Sequence, residues 1–392
     1  MASGHVRTLR WLYRFAPFPA GRKGNSIRLV QDCPLFSLTV NISGKTIWQQ
    51  AAGDTNRNYS DLCLKWGVIL FGPGYAGKWP DCRSQLLQDG WSSRKVTTLS
   101  RFADEMKSGD FVVLRIGTST VLGVGEIVGG YEWINDFGDV DGWDLQHVRR
   151  VRWLWNGLAN PKTFNTYDLK QGDTTQRLNE GAVAQWIATL PVTDEVLSTP
   201  LVNLPTGKSS KELSIEEISE FLFDKGVASG SITQLVHEIA ELKRIAKWYQ
   251  RSDKPSEHET VAYLVVPLLR ALGWTPQRMA VEWNRVDLAL FAQLPRNDVN
   301  LQIVVEAKKM DNSCLSAVSQ ARDYANGKPV CHRLIVTDGI RYGTYVRKGV
   351  EDFKLYAYMN LARLMDSYPV YDCKGANDAL LAMAPEWRLT EN

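Results

Sequence analysis

Hydrophobic residues in the first part of the chain come in short runs separated by turn residues, a pattern that indicates β-strands. Three runs show it: Trp66 to Phe71, Phe111 to Ile116 and Val121 to Val128. Gly117 separates the last two runs, which predict a hairpin in a small β-barrel. A short helix is predicted over Thr98 to Lys107, because its apolar residues fall on one helical face.

The middle of the chain is less regular. The hydrophobic pattern weakens from about Lys162 to Pro205, and the polar stretch from Thr206 to Ser210 is typical of a flexible linker. Helices are then predicted over Leu213 to Phe223 and over Ile232 to Tyr249. We expect the second helix, whose apolar residues recur every three or four positions, to bridge two halves of the chain or to pair with a second subunit.

Helices and strands alternate in the last third of the chain. In chain order we predict a helix over Glu257 to Leu272, strands over Val281 to Leu290 and Leu301 to Val305, a helix over Cys314 to Ala325 and a strand over Leu334 to Thr337. This order predicts a mixed α/β layer with a central sheet. We therefore expect a β domain over residues 1–160, a linker and helical region over 161–250, and an α/β domain over 251–392.

Composition narrows the class of protein. A chain of 392 residues with 44% hydrophobic and 23% charged residues is neither disordered nor fibrous, and it is long enough for two or three domains. No apolar run approaches the length of about 20 residues that crosses a bilayer, so we expect a cytoplasmic protein without a membrane partner. The net charge of +3 means that any surface for nucleic acid must be local. The six cysteines lack zinc-ligand spacing, so we interpret them as reduced and structural.

Acidic residues and a lysine near the end of one predicted strand have the chemistry to cleave a phosphodiester. Such cleavage needs acidic oxygens that hold Mg²⁺ and a group that orients or deprotonates water. Glu306 and Lys308 are two positions apart and therefore emerge on one face, while Ala307 points into the core with its carbonyl available to the metal. Asp287 lies on the preceding strand, and antiparallel pairing would bring it close to Glu306.

Context singles out this acid-x-Lys triplet, because the triplet itself occurs six times in the chain. Only Glu306 and Lys308 end a β-branched run, follow a strand that carries an acid and precede a predicted helix. Burying two carboxylates without a partner costs several kcal/mol, and a cation would relieve that cost. The alternative is a structural ion-pair network in a fold that does not cut.

Five segments together resemble a known nuclease family. They are Glu259-Thr260, Pro267 to Trp274, Val286 to Leu290, Val304 to Lys309 and Gln320 to Ala325. In this order they resemble the PD-(D/E)xK nuclease core, in the version at the N-terminus of type I restriction-enzyme R subunits, over roughly residues 255 to 347. Val286 stands where the motif has proline. The resemblance implies an α/β nuclease domain with a mixed central sheet that depends on Mg²⁺, for which Mn²⁺ can substitute.

The resemblance also implies a role for each matching residue. Asp287 and Glu306 would bind the metal with the Ala307 carbonyl, Lys308 would position or activate water, Glu259 would support the metal or its waters, and Gln320 and Tyr324 would lie at the edge of the site or touch DNA.

Residues 64–155 loosely resemble a PUA-like barrel, and within that superfamily the EVE and YTH modules, which hold a flipped modified base in an aromatic pocket. Stacking on an aromatic ring stabilises a bound base by about 1 to 3 kcal/mol. The candidate pocket residues lie in loops that flank the strands: Trp79, Trp91, Tyr131 and Trp133. For each of them the alternative is a place in the core.

Three arginines after these loops are candidates for contact with phosphates: Arg149, Arg150 and Arg152. A solvated strand face explains them equally well. The segment from Gly72 to Lys78 has the spacing of a phosphate-binding loop, but Trp79 stands where Ser or Thr would hold Mg²⁺. We therefore expect no nucleotide cofactor.

These features together predict a modification-dependent, type IV-like restriction endonuclease that defends against foreign DNA. The N-terminal domain would read a modified base in double-stranded DNA, with modified cytosine favoured, and the C-terminal domain would cut. Cutting both strands with one active site per chain favours a homodimer, with Ile232 to Tyr249 as its seam. The alternatives are a nuclease on RNA or unmodified DNA whose barrel is a general clamp, and a non-catalytic nucleic-acid-binding module.

Overall fold

The computed structural model describes residues 38–54, 57–178, 180–205, 210–349 and 352–388. The N-terminal extension of the expected first domain, with Cys33, lies outside the described residues, as does most of the predicted linker. The described residues form a mixed α/β structure with two large mixed sheets.

The first sheet uses residues from the N-terminal part of the chain. The strands of this part are β1 (Leu38–Thr39), β2 (Ile47–Ala51), β3 (Val68–Phe71), β4 (Phe111–Ile116), β5 (Thr120–Trp133), β6 (His147–Asn156), β7 (Lys162–Thr163), β8 (Thr175–Leu178) and β9 (Pro191–Val192). The main sheet has the order β3-β6-β5-β4-β2-β8, with β7 paired to β5, while β1 and β9 form a separate two-stranded sheet. Because β8 pairs with β2 and β9 pairs with β1, this part of the chain extends past residue 160, the boundary expected from the sequence.

The first sheet is strongly curled, although backbone hydrogen bonds do not close it into a barrel among the described residues. Register shifts along β5 bend the sheet. Gln50 on β2 then reaches across the interior, where its Nε2 donates to the carbonyl of Leu70 on the edge strand β3 at 2.9 Å. A buried side chain thus completes the curl that a barrel would complete with a strand pair.

The second sheet contains the remaining strands: β10 (Met279–Trp283), β11 (Val286–Phe291), β12 (Leu301–Ala307), β13 (Arg333–Thr337), β14 (Arg341–Arg347), β15 (Phe353–Asn360), β16 (Ser367–Tyr368) and β17 (Cys373–Lys374). Their order is β10-β11-β12-β13-β14-β15-β17-β16. The pair β12 and β13 is parallel, whereas β11 and β12 are antiparallel.

One predicted strand is in fact a hairpin. The segment from Val281 to Leu290 turns back on itself at Asn284 and Arg285, which have left-handed φ angles of 48° and 74°. Two successive left-handed residues are the requirement of a tight two-residue hairpin. The single strand predicted from the sequence is therefore wrong, because the polar turn residues interrupt it.

Helices cover both sheets. They are α1 (Ser60–Trp66), α2 (Arg83–Gln88), α3 (Ser93–Ser100), α4 (Ala182–Ile187), α5 (Asp194–Ser198), α6 (Ile215–Asp224), α7 (Ser229–Arg251), α8 (Glu257–Thr260), α9 (Val266–Ala271), α10 (Val318–Ala325) and α11 (Ala376–Met383). A π-helical segment over Arg101–Glu105 continues α3, and another over Val261–Val265 joins α8 to α9. None of the helices formed by the described residues is long and apolar enough to cross a bilayer.

Helices lie on both faces of the second sheet. Residues of α6, α7, α9 and α11 share one hydrophobic core with it, and α10 packs into a second core on the other face. The apolar residues of α7, from Ile232 to Tyr249, are buried in the first of these cores. The face expected to form a dimer seam is therefore already covered within the chain.

Asp141 joins the two sheets. This buried residue lies between β5 and β6 of the first sheet, and its carboxylate accepts hydrogen bonds from the loop before α10. The donors are the Ser313 hydroxyl, the backbone N–H of Cys314 at 3.2 Å and that of Leu315 at 3.3 Å. One carboxylate thus satisfies several donors that would otherwise be buried without a partner.

We expect Asp141→Asn to destabilise the protein by about 1 to 3 kcal/mol, because the new amide N–H₂ faces donors that then lack an acceptor. Asparagine keeps the shape of the side chain and tolerates the left-handed φ of 48° at this position. Urea unfolding of the variant measures the effect, with Asp323→Asn on the exposed side of α10 as the control. An unchanged free energy of unfolding for Asp141→Asn would contradict this role.

Candidate active site

Strands β11 and β12 place two carboxylates opposite each other. Leu288 pairs with Val305 in the antiparallel ladder, so Asp287 lies across from Glu306. Ala289 and Val304, which share the face of these acids, belong to the core under α10. The structure therefore brings Asp287 and Glu306 together on the α10 side of the sheet.

Asp287 is fixed by the neighbouring backbone. Its Oδ2 accepts a hydrogen bond from the N–H of Ala307 at 2.7 Å. The next residue, Lys308, donates its own N–H to the carbonyl of Thr337 on β13 at 2.7 Å. The end of β12 is thus held from both sides, and the residues that could bind a metal or water are attached to a rigid part of the sheet.

The Glu306 carboxylate is buried, and its contacts replace only part of the hydration that it loses. Its side chain is 1% exposed, and its Oε1 lies 3.2 Å from Lys308 Nζ. Its Oε2 is buried and has no hydrogen-bond partner among the described residues. Burial, with a further contribution from the charge of Asp287, raises the pKa of Glu306 to about 7 although Lys308 opposes the shift.

Lys308 is held between β12 and α10. Its Nζ donates to Glu306 at 3.2 Å and to Gln320 Oε1 at 3.1 Å. Gln320 in turn donates through Nε2 to the hydroxyl of Tyr324 at 3.3 Å. A protonated lysine has three N–H donors, so these two contacts leave one for a water or a phosphate oxygen.

The loop after Lys308 is anchored to both halves of the chain. Asp338, which is fully buried, accepts from the N–H of Asp311 at 3.2 Å and from the guanidinium of Arg341 at 2.6 Å. Arg57, from the loop between β2 and α1, donates to the carbonyl of Asp311. Sequence reasoning missed this support, because none of its members stands at a recognised spacing from the acid-x-Lys triplet.

The acidic pair fits a magnesium ion. Mg²⁺ usually binds through one or two carboxylates and completes its shell with waters and substrate phosphates. Asp287, Glu306 and the Ala307 carbonyl are such a set, and the unpartnered Glu306 Oε2 is the oxygen that a cation would satisfy. No group of three or more His, Cys, Asp or Glu residues that could hold a metal occurs in the described part of the chain. A metal here would therefore need water and substrate ligands as well.

The structure places Glu259 in a local helix cap. Its Oε2 accepts from the N–H of Ser256 at 2.8 Å, and its own N–H donates to the Ser256 hydroxyl at 3.2 Å, so it forms a capping box for α8. These hydrogen bonds lower the pKa of Glu259. The charge of Glu257, two positions earlier, instead contributes to the raised pKa of Glu306. The Ser-x-x-Glu spacing before an apolar run is the sequence signal for this cap.

Tyr131 and Trp133 contact His147, and Trp79 contacts Tyr131 through its backbone N–H. The Tyr131 hydroxyl accepts from the N–H of Trp79 at 3.2 Å and lies 2.8 Å from His147 Nδ1. Trp133 packs edge-on against the same imidazole, with ring centroids 5.1 Å apart. Trp91 lies elsewhere, with Lys95 Nζ 5.6 Å from its ring. Within the described residues, no ring contact joins any two of the four.

His147 is a structural residue in this cluster. It is fully buried, and its Nε2 donates to the carbonyl of Pro73 at 3.0 Å, which leaves Nδ1 to accept from Tyr131. Burial lowers the pKa of His147 to about 4, so the imidazole is neutral at physiological pH.

Trp79 also lines a small cavity. Its volume is about 140 Å³, and it is lined by Trp79, Arg83, Leu87, Ser93, Val96, Thr97 and Ser100. Trp79 is the only one of the four predicted pocket residues in this lining. The three hydroxyl residues follow one another at spacings of four and three along α3, a polar helical face that the sequence contains but that sequence reasoning missed.

The three arginines differ in what they contact. Arg149 is 3% exposed and donates to the carbonyls of Phe102 at 2.5 Å and Ala103 at 2.6 Å, so it caps a helical segment and is not available to phosphates. Arg150 donates to the carbonyl of Val202, and Arg152 lies 3.7 Å from Glu126. The prediction of a DNA contact is wrong for Arg149, because this position of β6 points inward.

Comparison with known proteins gives one match. A family model described as a domain of unknown function (DUF8426) matches residues 48–178, about one third of the chain. The matched segment runs from β2 to β8 and therefore covers the strands of the first large sheet. Neither a curated protein nor a solved structure matches the chain.

Proposed function

We propose that the protein is a Mg²⁺-dependent endonuclease that hydrolyses DNA at Asp287, Glu306 and Lys308, and that its first sheet reads a modified base. The observation that carries the proposal is the convergence of two carboxylates and an ammonium group around a buried oxygen without a partner. A structural network would pair that oxygen, because leaving a buried charge unsatisfied is costly. In a site that binds a cation together with its substrate, the unpaired Glu306 oxygen would instead bind the cation.

The surrounding elements support a nuclease core. A helical segment from α8 to α9 precedes β10, β11 and β12, and α10 then leads to β13, which is parallel to β12. The result is the mixed α/β layer that the resemblance to the PD-(D/E)xK core implies. Of the residues matched to its motifs, Glu306 and Lys308 lie at one end of β12, and Gln320 lies on the facing side of α10.

The roles of the residues follow from their contacts. Asp287, Glu306 and the Ala307 carbonyl would hold Mg²⁺, which would neutralise phosphate charge and make a bound water more acidic. The backbone N–H of Ala307 keeps the Asp287 carboxylate in place before substrate arrives. Lys308 would use its remaining N–H to orient the attacking water or a phosphate oxygen. Gln320 would position the Lys308 ammonium, whose Nζ donates to its Oε1.

The cavity beside Trp79 is the candidate site for the base. Its 140 Å³ is well below the range of about 300 to 1,000 Å³ for drug-sized ligands, a size that favours one planar base over a whole nucleotide. Trp79 is largely buried, with its indole N–H bonded to Asp104, and forms one wall of the cavity, while Arg83 and the hydroxyl groups of α3 offer hydrogen bonds to the edge of a base. We assign the base to this cavity and not to the cluster at His147, where the aromatic residues already contact one another through the imidazole.

Lys308→Ala and Asp287→Asn should each reduce DNA cleavage by at least about 100-fold, because they remove the water-orienting group and a metal ligand. The measurement is conversion of supercoiled plasmid in Mg²⁺, with EDTA as the metal-free control. Lys328→Ala is the matched control, since Lys308 and Lys328 have equal side-chain exposure of 23%. Parent-like cutting by either site variant would contradict the assignment.

Glu306→Gln should stabilise the metal-free protein at pH 8. The folded-state pKa of Glu306 is raised to about 7, so the stability that its protonated form contributes is present at low pH and is lost as pH rises through 7. Glutamine removes this loss, so the difference between variant and parent should vanish near pH 4. Urea unfolding at both pH values tests this, with the exposed Glu220→Gln as control. A less stable Glu306→Gln protein at pH 8 would instead indicate a structural ion pair.

Arg83→Ala and Thr97→Val should reduce the preference for modified DNA, because both remove polar groups from the cavity beside Trp79. Loss of a hydrogen bond to a base typically reduces discrimination by about 1 to 3 kcal/mol, or roughly 5- to 150-fold. The measurement is the ratio of cutting rates on matched plasmids with and without modified cytosine. Arg94→Ala, whose side chain on α3 pairs with Asp173, should keep the parent ratio.

Equal cutting of both plasmids by the parent protein would reject the base-reading part of the proposal and favour a nuclease whose first sheet is a general clamp. Binding without any Mg²⁺-dependent cutting would favour the non-catalytic alternative.

A further inference from the structure

The long helix α7 changes charge along its length. Its acidic residues Glu238 and Glu241 lie near the middle of the helix, and every charged residue after them up to Arg251 is basic, while Asp253 follows the helix. These basic residues are Lys243, Arg244, Lys247 and Arg251, and Lys254 follows after the helix. The chain as a whole is nearly neutral, so this is a local concentration of positive charge.

The charges lie on the outer face of the helix. Arg244, Lys247 and Arg251 are exposed and follow at spacings of three and four, which puts them on one side. The opposite side is buried against the second sheet and includes Leu242 and Ala246. From Arg244 to Arg251 the helix rises by about 10 Å, which matches the axial rise of about three phosphates along one DNA strand.

An exposed tryptophan lies within this face. Trp248 is 61% exposed, next to Lys247 in the chain, and its ring packs edge-on against Tyr249 at 4.9 Å between centroids. An indole left in water loses the stabilisation that burial would give it, unless a partner covers it. Basic residues interspersed with an exposed aromatic ring are the composition of a nucleic-acid-binding surface.

Two simpler explanations account for only part of the pattern. Cations near a helix C-terminus interact favourably with the helix dipole, but that effect is limited to the last turn and so applies to Arg251 alone. Surface ion pairing explains Arg244, which pairs with Glu241. Lys247 and Arg251 have no ion-pair partner among the described residues, so their charges remain available.

The basic face ends beside the candidate active site. Lys254 lies 3.1 Å from Asp311, in the loop that begins at the catalytic Lys308. A DNA strand that follows the outer face of α7 from Arg244 towards Lys254 would therefore reach the end of β12.

We propose that the outer face of the second half of α7, defined by Arg244, Lys247, Trp248 and Arg251, binds the phosphate backbone of duplex DNA and guides it into the active site. This inference rests on the proposed nuclease function, which it extends by assigning the surface that holds the substrate next to the cut. It replaces the expectation that α7 forms a dimer seam, since the apolar face of the helix is covered within the chain while its charged face is not.

The test is equilibrium binding of a fluorescent duplex by the full chain in EDTA, measured by anisotropy over a series of salt concentrations. The double variant Lys247→Gln/Arg251→Gln should bind at least about 10-fold more weakly at 0.1 M salt. Its slope of log affinity against log salt should fall by about 2, one for each lost phosphate contact. Trp248→Ala should weaken binding by about 5-fold with an unchanged slope, because it removes contact area but no charge.

Lys225→Gln is the matched control. This exposed lysine follows α6 near the start of α7, which is about 20 Å along the helix axis from Arg244, and should keep both the affinity and the slope of the parent. Unfolding midpoints of all variants confirm that the fold is intact.

An unchanged slope in the double variant would overturn the assignment of this face, as would a parent protein that binds no duplex at low salt. The nuclease proposal is judged separately by cutting in Mg²⁺. If the parent does not cut but the double variant shows the reduced slope, the binding face stands and the nuclease proposal fails.

Discussion

The central constraint in the structure is a buried carboxylate, that of Glu306, of which one oxygen has no hydrogen-bond partner among the described residues. Glu306 lies opposite Asp287 at the end of a central strand, and only one of its oxygens is paired with Lys308. Removing a charge from water next to another like charge is unfavourable, and the raised pKa of Glu306 expresses that cost. The rigid sheet prevents the two acids from separating. The proposed metal would relieve this constraint, because a cation between the two acids offsets their repulsion.

The loops beside this site contact both sheets. The loop after Lys308 is tied through Asp311 to Asp338 in the second sheet and to Arg57 next to the first. Asp141 then joins the first sheet to the loop before α10, the helix that holds Lys308 through Gln320. Elements on both sides of the candidate site therefore contact the first sheet.

The sequence predicts local geometry well and contacts between distant segments poorly. Glu306 and Lys308 share a face because side chains alternate along a strand, a rule that needs no tertiary information. The sequence also contains the capping box of Glu259, but the resemblance assigned that residue to the metal and hid the simpler local role. Arg149 and Trp79 depend on which loop lies across them, and no spacing in the chain specifies that. The sequence predicted a barrel, but among the described residues the first sheet stays open between β3 and β2, where the buried Gln50 side chain bonds the Leu70 carbonyl, and no local pattern specifies that contact.

The most direct test of the central claim is a crystal structure of the full chain soaked in Mn²⁺, with anomalous scattering recorded to locate the metal. The account predicts an anomalous peak between the carboxylates of Asp287 and Glu306, within bonding distance of Glu306 Oε2. The absence of an anomalous peak there at saturating Mn²⁺, with Lys308 still paired to Glu306, would contradict the account.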